Sequence, residues 1–379
     1  MEHFVEGALK RGPGFVGKPE SKAEMDFAVP RIMVIGAGGG GCNSINRLAR
    51  AGIKGAELVA VNTDQKHLST ISESAKRLLI GASITKGLGA GGYPEIGAKA
   101  AEVSRPALEK LVDGVNILFI TCGMGGGTGT GSVPIIAQAA KKQGAIVIAI
   151  VTYPFALERA RLEKADLGIE KLKAEADTII VIDNNRLVQF VPNLPIDQAF
   201  NVADEIIYRA VRGIAETILQ PSLINLDLAD VQAVMTNGGV SMIAVGEAKG
   251  SGSERVQKVV ESTLHHTLLD VDYAGAGGVM IHITGGPDMT LGECNAIGEG
   301  LTESVDPNAH VIWGARVDPM FEGKVEALAI FTGIKSPYIL GKQVRSSRSE
   351  VTSRPFEMPS GASKPAHSPR GEEDIEFLS

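Results

Sequence analysis

The stretch from Thr121 to Gly131 reads Thr-Cys-Gly-Met-Gly-Gly-Gly-Thr-Gly-Thr-Gly, a composition suited to gripping a polyphosphate. Glycines let the backbone approach an anion closely and turn its N–H groups inward, and the threonine hydroxyls add donors. An apolar run, Val115 to Ile120, precedes the stretch and reads as a buried strand; Ser132 to Lys141 follows it and reads as a helix with Pro134 in its first turn. A helix start at that point adds partial positive charge. The loop contains no Lys or Arg, so the backbone must hold the anion, with a metal ion neutralising part of its charge.

Two further glycine runs could share that anion. Gly36, Gly38 and Gly41 keep the G-x-G-x-x-G spacing between a strand at Arg31–Ile35 and a helix at Ser44–Ala51. Taken alone, that spacing suggests a dinucleotide fold with Asp64 as the ribose acid. The run is mostly glycine and fits many patterns, and a dinucleotide needs only one such loop. A P-loop is excluded because no Gly-Lys-Ser/Thr follows either run. A mononucleotide triphosphate spread across several glycine loops remains. The alternatives are an NAD-binding Rossmann oxidoreductase and a nucleotide-binding regulator that never polymerises.

The elements that must position these loops alternate along the chain. Strands are expected at Glu57–Val61, Arg77–Ile80, Ala145–Thr152 and Thr178–Ile182, and a helix from about Pro94 to Val112 follows a third glycine cluster, Gly87 to Glu95. Such alternation predicts a parallel sheet covered on both faces, with ligands at the strand C-termini. From Ile196 to Gln220 the pattern changes to one long helix closed by Pro221, with Phe200, Ala203, Ile206, Ile207, Ala210, Val211, Ile214 and Ile218 at a helical period. Beyond it strands are expected at Asp230–Met235, Val240–Glu247, Val279–Thr284, Val311–Val317 and Ala327–Thr332, with helices at Ser253–Leu269 and Leu291–Val305. The predicted fold is therefore α/β: a Rossmann-like parallel-sheet domain joined by a long central helix to a smaller α+β domain, with a disordered C-terminal tail. The boundaries read as an extension (1–29), a nucleotide domain (30–196), the central helix (197–221), the α+β domain (222–335), a Ser-, Pro- and Arg-rich disordered linker (336–370) and a short acidic-apolar docking peptide (371–379).

With 379 residues, 44% hydrophobic, the chain has ample material for large cores, and its 46 glycines show no collagen-like period. A net charge of −7 argues against a nucleic-acid partner held by bulk electrostatics. Its 3 cysteines, Cys42, Cys122 and Cys294, show neither metal spacing nor pairing, as expected in a reducing cytoplasm. No apolar run approaches the ~20 residues of a membrane helix, and the first thirty residues lack a signal-peptide core. A soluble intracellular protein with no direct membrane insertion is expected.

Several stretches together resemble the tubulin/FtsZ family. They are Gly39-Gly40-Gly41-Cys42-Asn43, Asn62-Thr63-Asp64, Gly87 to Glu95, the Gly-Gly-Gly-Thr-Gly-Thr-Gly of 125–131, Asn225 to Asp230, and Thr284 to Leu291, in order between about Ile32 and Thr332. The resemblance implies a GTPase that binds GTP and GDP with Mg²⁺ on the phosphates, and polymerises head to tail with itself into protofilaments of the cell-division ring. It also implies a cytoplasmic location at mid-cell. Membrane-anchoring or regulatory division proteins would bind the tail. Carried over by residue, Gly39, Gly40, Gly41, Cys42 and Asn43, with Asp64, would belong to the nucleotide site. Gly125, Gly126, Gly127, Thr128, Gly129 and Thr130 would hold phosphate, and Ala90, Gly91 and Gly92 would lie near the terminal one. Glu158 would touch the ribose, and Asn184, Phe200 and Asp204 would recognise guanine. An Asp four residues after a Phe shares its helical face, where a carboxylate accepts from guanine N1–H and N2–H and the ring stacks on Phe200. The family pattern Glu-Gly-x-x-Arg is shortened here to Glu158-Arg159-Ala160-Arg161, which leaves Arg159 or Arg161 for the cationic position, with Arg161 favoured.

The phosphate loops hold no carboxylate or His that could orient an attacking water. Asp227 and Asp230 follow the long helix, and ~24 residues at 1.5 Å each span about 36 Å. These acids cannot reach their own nucleotide, but they can reach that of the next subunit in a head-to-tail stack. The resemblance assigns the same role to Asn225, Asp227 and Asp230, and no protein ligand to the metal.

Overall fold

The computed structural model describes residues 29–219, 224, 227–236, 240–265, 273 and 275–334. Asn225, the N-terminal extension to residue 28, the linker 336–370 and the peptide 371–379 lie outside the described residues. Strands β1 (Ile32–Ala37), β2 (Glu57–Asn62), β3 (Lys76–Leu79), β4 (Ile117–Gly123), β5 (Ile146–Tyr153), β6 (Thr178–Asp183), β7 (Val240–Lys249), β8 (Gly278–Gly285), β9 (His310–Val317) and β10 (Lys324–Ile334) form one sheet. Its order is β3-β2-β1-β4-β5-β6-β7-β10-β8-β9. The first six are parallel to their neighbours. Every residue of β1 and β6 is buried, the mark of strands covered on both faces. Alternation then sorts side chains: Ile32 and Val34 enter one core, Met33 and Ile35 the other. A single pairing, Ile179 with Val240, carries the sheet from β6 to β7. Beyond it, β10 runs antiparallel to β7 and β8, and β8 runs parallel to β9.

The central helix, Ile196–Leu219, ties the two halves together. Ala203, Ile207, Ala210, Val211 and Ile214 form one buried stripe at helical spacing. They join the core that holds Ile32 and Val34 of β1 and Leu328 and Ile330 of β10. Close approach needs Gly213, where a Cβ would come 2.8 Å from Leu328 Cδ2. Near the helix end, Thr217 Oγ1 donates to Gly213 O (2.6 Å) and lies 2.8 Å from His282 Nδ1. Because the hydroxyl proton is committed to Gly213, the imidazole donates from Nδ1. Burial pushes His282 down to about 4, helped by nearby Arg316 and Arg212. The unfolded chain therefore binds a proton that the folded chain refuses between pH 6.5 and 4. Stability is expected to be full above pH 6.5 and to fall by up to about 3 kcal/mol as pH drops through that window. Thermal melts of wild type and His282→Gln across it should show this slope vanishing in the variant.

Several elements differ from the sequence-based expectation. The first helix begins at Gly38 rather than Ser44. Four glycines in a helix start cost about 1 kcal/mol each relative to alanine, but packing overrides propensity here: a Cβ on Gly41 would lie 2.3 Å from Thr121 O. Likewise β4 extends through Gly123 and the next helix, Thr128–Lys142, starts early, so Pro134 sits inside that helix and not in its first turn. The glycine-rich loop proper shrinks to Met124–Gly127. The helix expected over Pro94–Val112 breaks at Ser104 into Pro94–Val103 and Arg105–Val112. Pro106 has no N–H for the Glu102 carbonyl, and Ser104 Oγ instead accepts the Gly81 N–H (2.9 Å). Finally, Asp230–Met235 is no strand but part of a helix, Leu228–Met235, started by a reciprocal Asp227–Asp230 capping box. An apolar run of that length has no decisive period, and the cap settles it.

In the β7–β10 half, Arg255 is buried and meets Glu293 through both Nη2 contacts (2.7 Å each), while its Nη1 reaches Asp288 (2.5 Å). Asp288 also accepts the Gly323 N–H (3.0 Å). Asp288 of the Thr284–Leu291 motif thus ties the helix that carries Arg255 to the turn at Gly323.

Candidate functional site

A cleft of about 340 Å³ opens where the C-terminal ends of β1, β4 and β5 meet, walled in part by Ala37, Gly123 and Thr152. The sheet rule for parallel strands puts a ligand there. Among the residues singled out from sequence, Gly39, Gly40, Ala90 and Gly92 line it. So do Gly126, Gly127, Thr128 and Gly129, and on further walls Glu158, Arg161, Asn184 and Phe200. At two positions of the wall nothing larger fits: a Cβ on Gly127 would stand 2.8 Å from Tyr93 N, and one on Gly38 would stand 2.7 Å from Gly129 N, whereas Gly39 and Gly92 face open space.

The cation missing from the glycine loop comes from the helix Arg159–Glu175. Arg161 lines the cleft and pairs with Glu158 at 2.7 Å, whereas Arg159 is not on its wall. Gly125, with φ +86°, lets the loop lie against Arg161, whose Cβ would be 2.6 Å from an added methyl. The remaining candidates do not line the cleft. Gly41 packs on β4. Cys42 Sγ donates to Gly36 O and Val61 O (3.6 Å each), and burial pushes its thiol up to about 12, so it is no nucleophile. Asp64 accepts the His67 N–H (3.0 Å) and caps the helix Gln65–Ser69, while Asn43 Oδ1 faces His67 Nε2 at 3.1 Å. Gly91 belongs to the turn between Ala90 and Gly92, and Thr130 Oγ1 is buried with no partner among the described residues. Asp204, also buried, accepts from Ser44 Oγ (2.5 Å) and pairs with Arg47.

Asn184 is buried, and its Oδ1 finds no donor among the described residues. Native structures rarely leave such an acceptor orphaned unless a ligand or water completes it, and a purine N–H suits it. Phe200 meets Phe155 edge-on, centroids 6.2 Å apart at 66°. Sequence reasoning passes over Phe155, although the Tyr153-Pro154-Phe155 step directly after β5 was the available signal, by the same strand-end rule. Among the described residues, no three His, Cys, Asp or Glu side chains gather into a metal cage.

Asp227 and Asp230 lie elsewhere. Each carboxylate accepts the other's backbone N–H (2.8 and 3.0 Å) at the start of their helix. That helix ends where Thr178 Oγ1 donates to Met235 O (3.2 Å), and Thr178 opens β6 at its N-terminal end. The last turn of that helix therefore sits at the N-terminal end of β6, away from the strand ends that form the cleft, and neither acid lines the cleft. Phe200 and Leu219 are also about 28 Å apart along the central helix at 1.5 Å per residue.

Residues 31–192 match the model of the Tubulin/FtsZ family, GTPase domain, and residues 239–335 that of the FtsZ family, C-terminal domain. The chain is 59% identical over 324 residues to "Cell division protein FtsZ 2" of Methanocaldococcus jannaschii, covering 85% of each. The chain belongs to the tubulin/FtsZ family. Its similarity to "Cell division protein FtsZ 2" of Haloferax volcanii is 48% over 360 residues, 93% of this chain and 89% of that one. The solved structure described as an empty FtsZ dimer of M. jannaschii shares its fold with a TM-score of 0.73 and 42% identity, over 88% of this chain and 92% of that one. In this tubulin/FtsZ chain the GTPase-domain match contains every cleft-lining residue named above except Phe200, which the central helix supplies.

Proposed function

We propose that this tubulin/FtsZ-family GTPase binds GTP in the cleft, assembles head to tail, and hydrolyses GTP with Asp227 and Asp230 of the following subunit. The observation carrying this reading is the separation just described: a cleft whose lining carboxylate, Glu158, is already paired with Arg161, and an acidic pair, exposed Asp227 and half-buried Asp230, that does not line it. The base would stack on Phe200 and offer N–H donors to the Asn184 amide. Each carboxylate oxygen accepts two hydrogen bonds, so Asp204 retains acceptors for guanine N1–H and N2–H while held by Ser44 and Arg47. Backbone N–H groups of Gly39, Gly40 and Gly126 to Gly129 would cradle the phosphates, Ala90, Gly91 and Gly92 the terminal one, and Glu158 the ribose. Mg²⁺ would ride on phosphate oxygens and neutralise charge there. The arriving carboxylates would hold a water in line with the γ-phosphate, and positioning of that kind supplies most of the catalysis in phosphoryl transfer.

Assembly of this sort is a heterologous contact that repeats without closing. Such a filament would work in the cell-division machinery at mid-cell, with 371–379 as the docking peptide for an anchoring or regulatory partner. Residues 30–196 and 222–335 would act as the nucleotide and acid-bearing domains of each subunit. Equilibrium dialysis should show GTP and GDP bound and NAD not bound, and light scattering should rise on adding GTP with Mg²⁺. Binding of NAD in place of GTP would overturn the reading. Of the two candidate cations, Arg161→Ala should weaken GTP binding about tenfold, the worth of one charge-assisted contact. Arg159→Ala should leave it near wild type in the same titration.

A further inference from the structure

The helix Arg159–Glu175 brings one more side chain to the site, one turn beyond Arg161. Lys164 Nζ donates to Gly92 O (2.7 Å) and stands 5.4 Å from the centre of the Tyr93 ring. Gly92 lines the cleft, so Lys164 grips the wall of the site from the side of the helix. The base of the segment it grips is anchored by Gln65 N–H to Gly87 O (3.0 Å), Leu88 N–H to Thr85 O (3.0 Å) and Gly89 N–H to Thr63 O (3.1 Å), but the tip, Ala90 to Tyr93, has fewer bonds. Gly87, Gly89, Gly91 and Gly92 all have positive φ (75°, 89°, 60° and 77°), and the tip closes through one backbone bond, Tyr93 N–H to Ala90 O (3.0 Å). Among the described residues, neither Gly91 nor Gly92 donates its N–H to a protein acceptor. A tip with two uncommitted donors and two adjacent left-handed glycines, Gly91 and Gly92, has more conformations open to it than its anchored base, at a cost in entropy when it settles on one.

We propose that Lys164 is a positioning residue that fixes the Gly87–Tyr93 loop so that its free N–H groups meet a terminal phosphate, and thereby sets the preference of the site for a nucleoside triphosphate over the diphosphate. The inference rests on the guanine-nucleotide reading of the cleft given above. The physical reason is selective. The loop packs on Gly127, where an added methyl would lie 3.1 Å from Gly92 N. It therefore borders the phosphate end, whereas Asn184 and Phe200 define the base end. A diphosphate uses the base end and the Gly126–Gly129 cradle and is indifferent to the loop. A triphosphate needs the loop in place, and a lysine that holds it beforehand spares the ordering cost on binding.

The test uses the full chain, kept dilute enough to stay unassembled, with GDP and a non-hydrolysable GTP analogue as probes. Lys164→Met should weaken the analogue about fivefold, the scale of an exposed cation–π contact plus an exposed charged hydrogen bond, and leave GDP unchanged. Lys164→Arg should restore most of the loss because it keeps both the donor and the cation over the ring. Equal losses for the two nucleotides in Lys164→Met, or no loss for either, would overturn the proposal while leaving the site reading intact. A wild type that binds neither nucleotide would overturn both.

Discussion

Asp227→Asn is expected to lower GTP turnover at least about a hundredfold while leaving GTP affinity and the fold unchanged. The size follows from losing a group that positions the attacking water, which costs 10²–10⁴ in comparable roles, as an order-of-magnitude range. The choice of Asn follows from the capping box. Asp227 accepts the Asp230 N–H at 2.8 Å, so truncation to Ala would also remove about 1 kcal/mol of helix capping. A loss of activity in Asp227→Ala would then be ambiguous. Asn caps as well as Asp, and so separates the charge from the structure. Turnover and thermal midpoint should both be measured. An Asp227→Asn protein with wild-type turnover would strip the residue of its role, since the cap would be preserved and only the carboxylate lost.

The second large effect concerns stability rather than chemistry. Gly131→Ala should destabilise the fold by about 3 kcal/mol or more, at the upper range of overpacking costs. A Cβ at this position would lie 2.0 Å from Pro94 O, 2.6 Å from Ala98 N and 3.0 Å from Gly97 C. All three are backbone atoms of the helix Pro94–Val103, so no side chain can swing aside. Gly97 repeats the constraint from the other helix, since a Cβ there would lie 2.3 Å from Gly127 O. Any relief must push this helix and the loop before it away from Gly127. Denaturant melts should show the lost stability, and nucleotide titration of the surviving fraction should show weaker GTP binding. Wild-type values in both would mean that the two helices are not in such close contact.

These expectations also show which parts of the fold could be read from residues. The parallel half was legible because β1, β4, β5 and β6 are continuous apolar runs, buried on both faces, and because each ends in glycine or polar residues. The central helix was legible because Ala203, Ile207, Ala210, Val211 and Ile214 keep a helical period over its length. Leu228–Met235 misled because eight mostly apolar residues satisfy either period; what decided the matter was Asp227 bonding Asp230, a pair read first as chemistry. The glycine helix start at Gly38 was hidden because propensity argues against it, and only the contact of Gly41 with Thr121 O explains it. Within the site, glycine loops and Phe200 could be found from spacing. Phe155 carried only the strand-end signal, which does not show that it meets Phe200 of the central helix, and Asp204's engagement by Ser44 and Arg47 needs the two helices already packed. Lys164 carried no sequence signal, since a lysine on an amphipathic helix is ordinarily a solvated charge.

On the proposed reading, each subunit would carry half of two active sites and the whole of none. The most direct test is the rate of GTP hydrolysis per molecule as the protein is diluted. The expected result is a rate near zero at low concentration that climbs steeply past a threshold, with light scattering rising at the same point. A rate per molecule that stays constant from dilute monomer to concentrated solution would contradict it, because a lone subunit would then possess everything needed to cleave GTP.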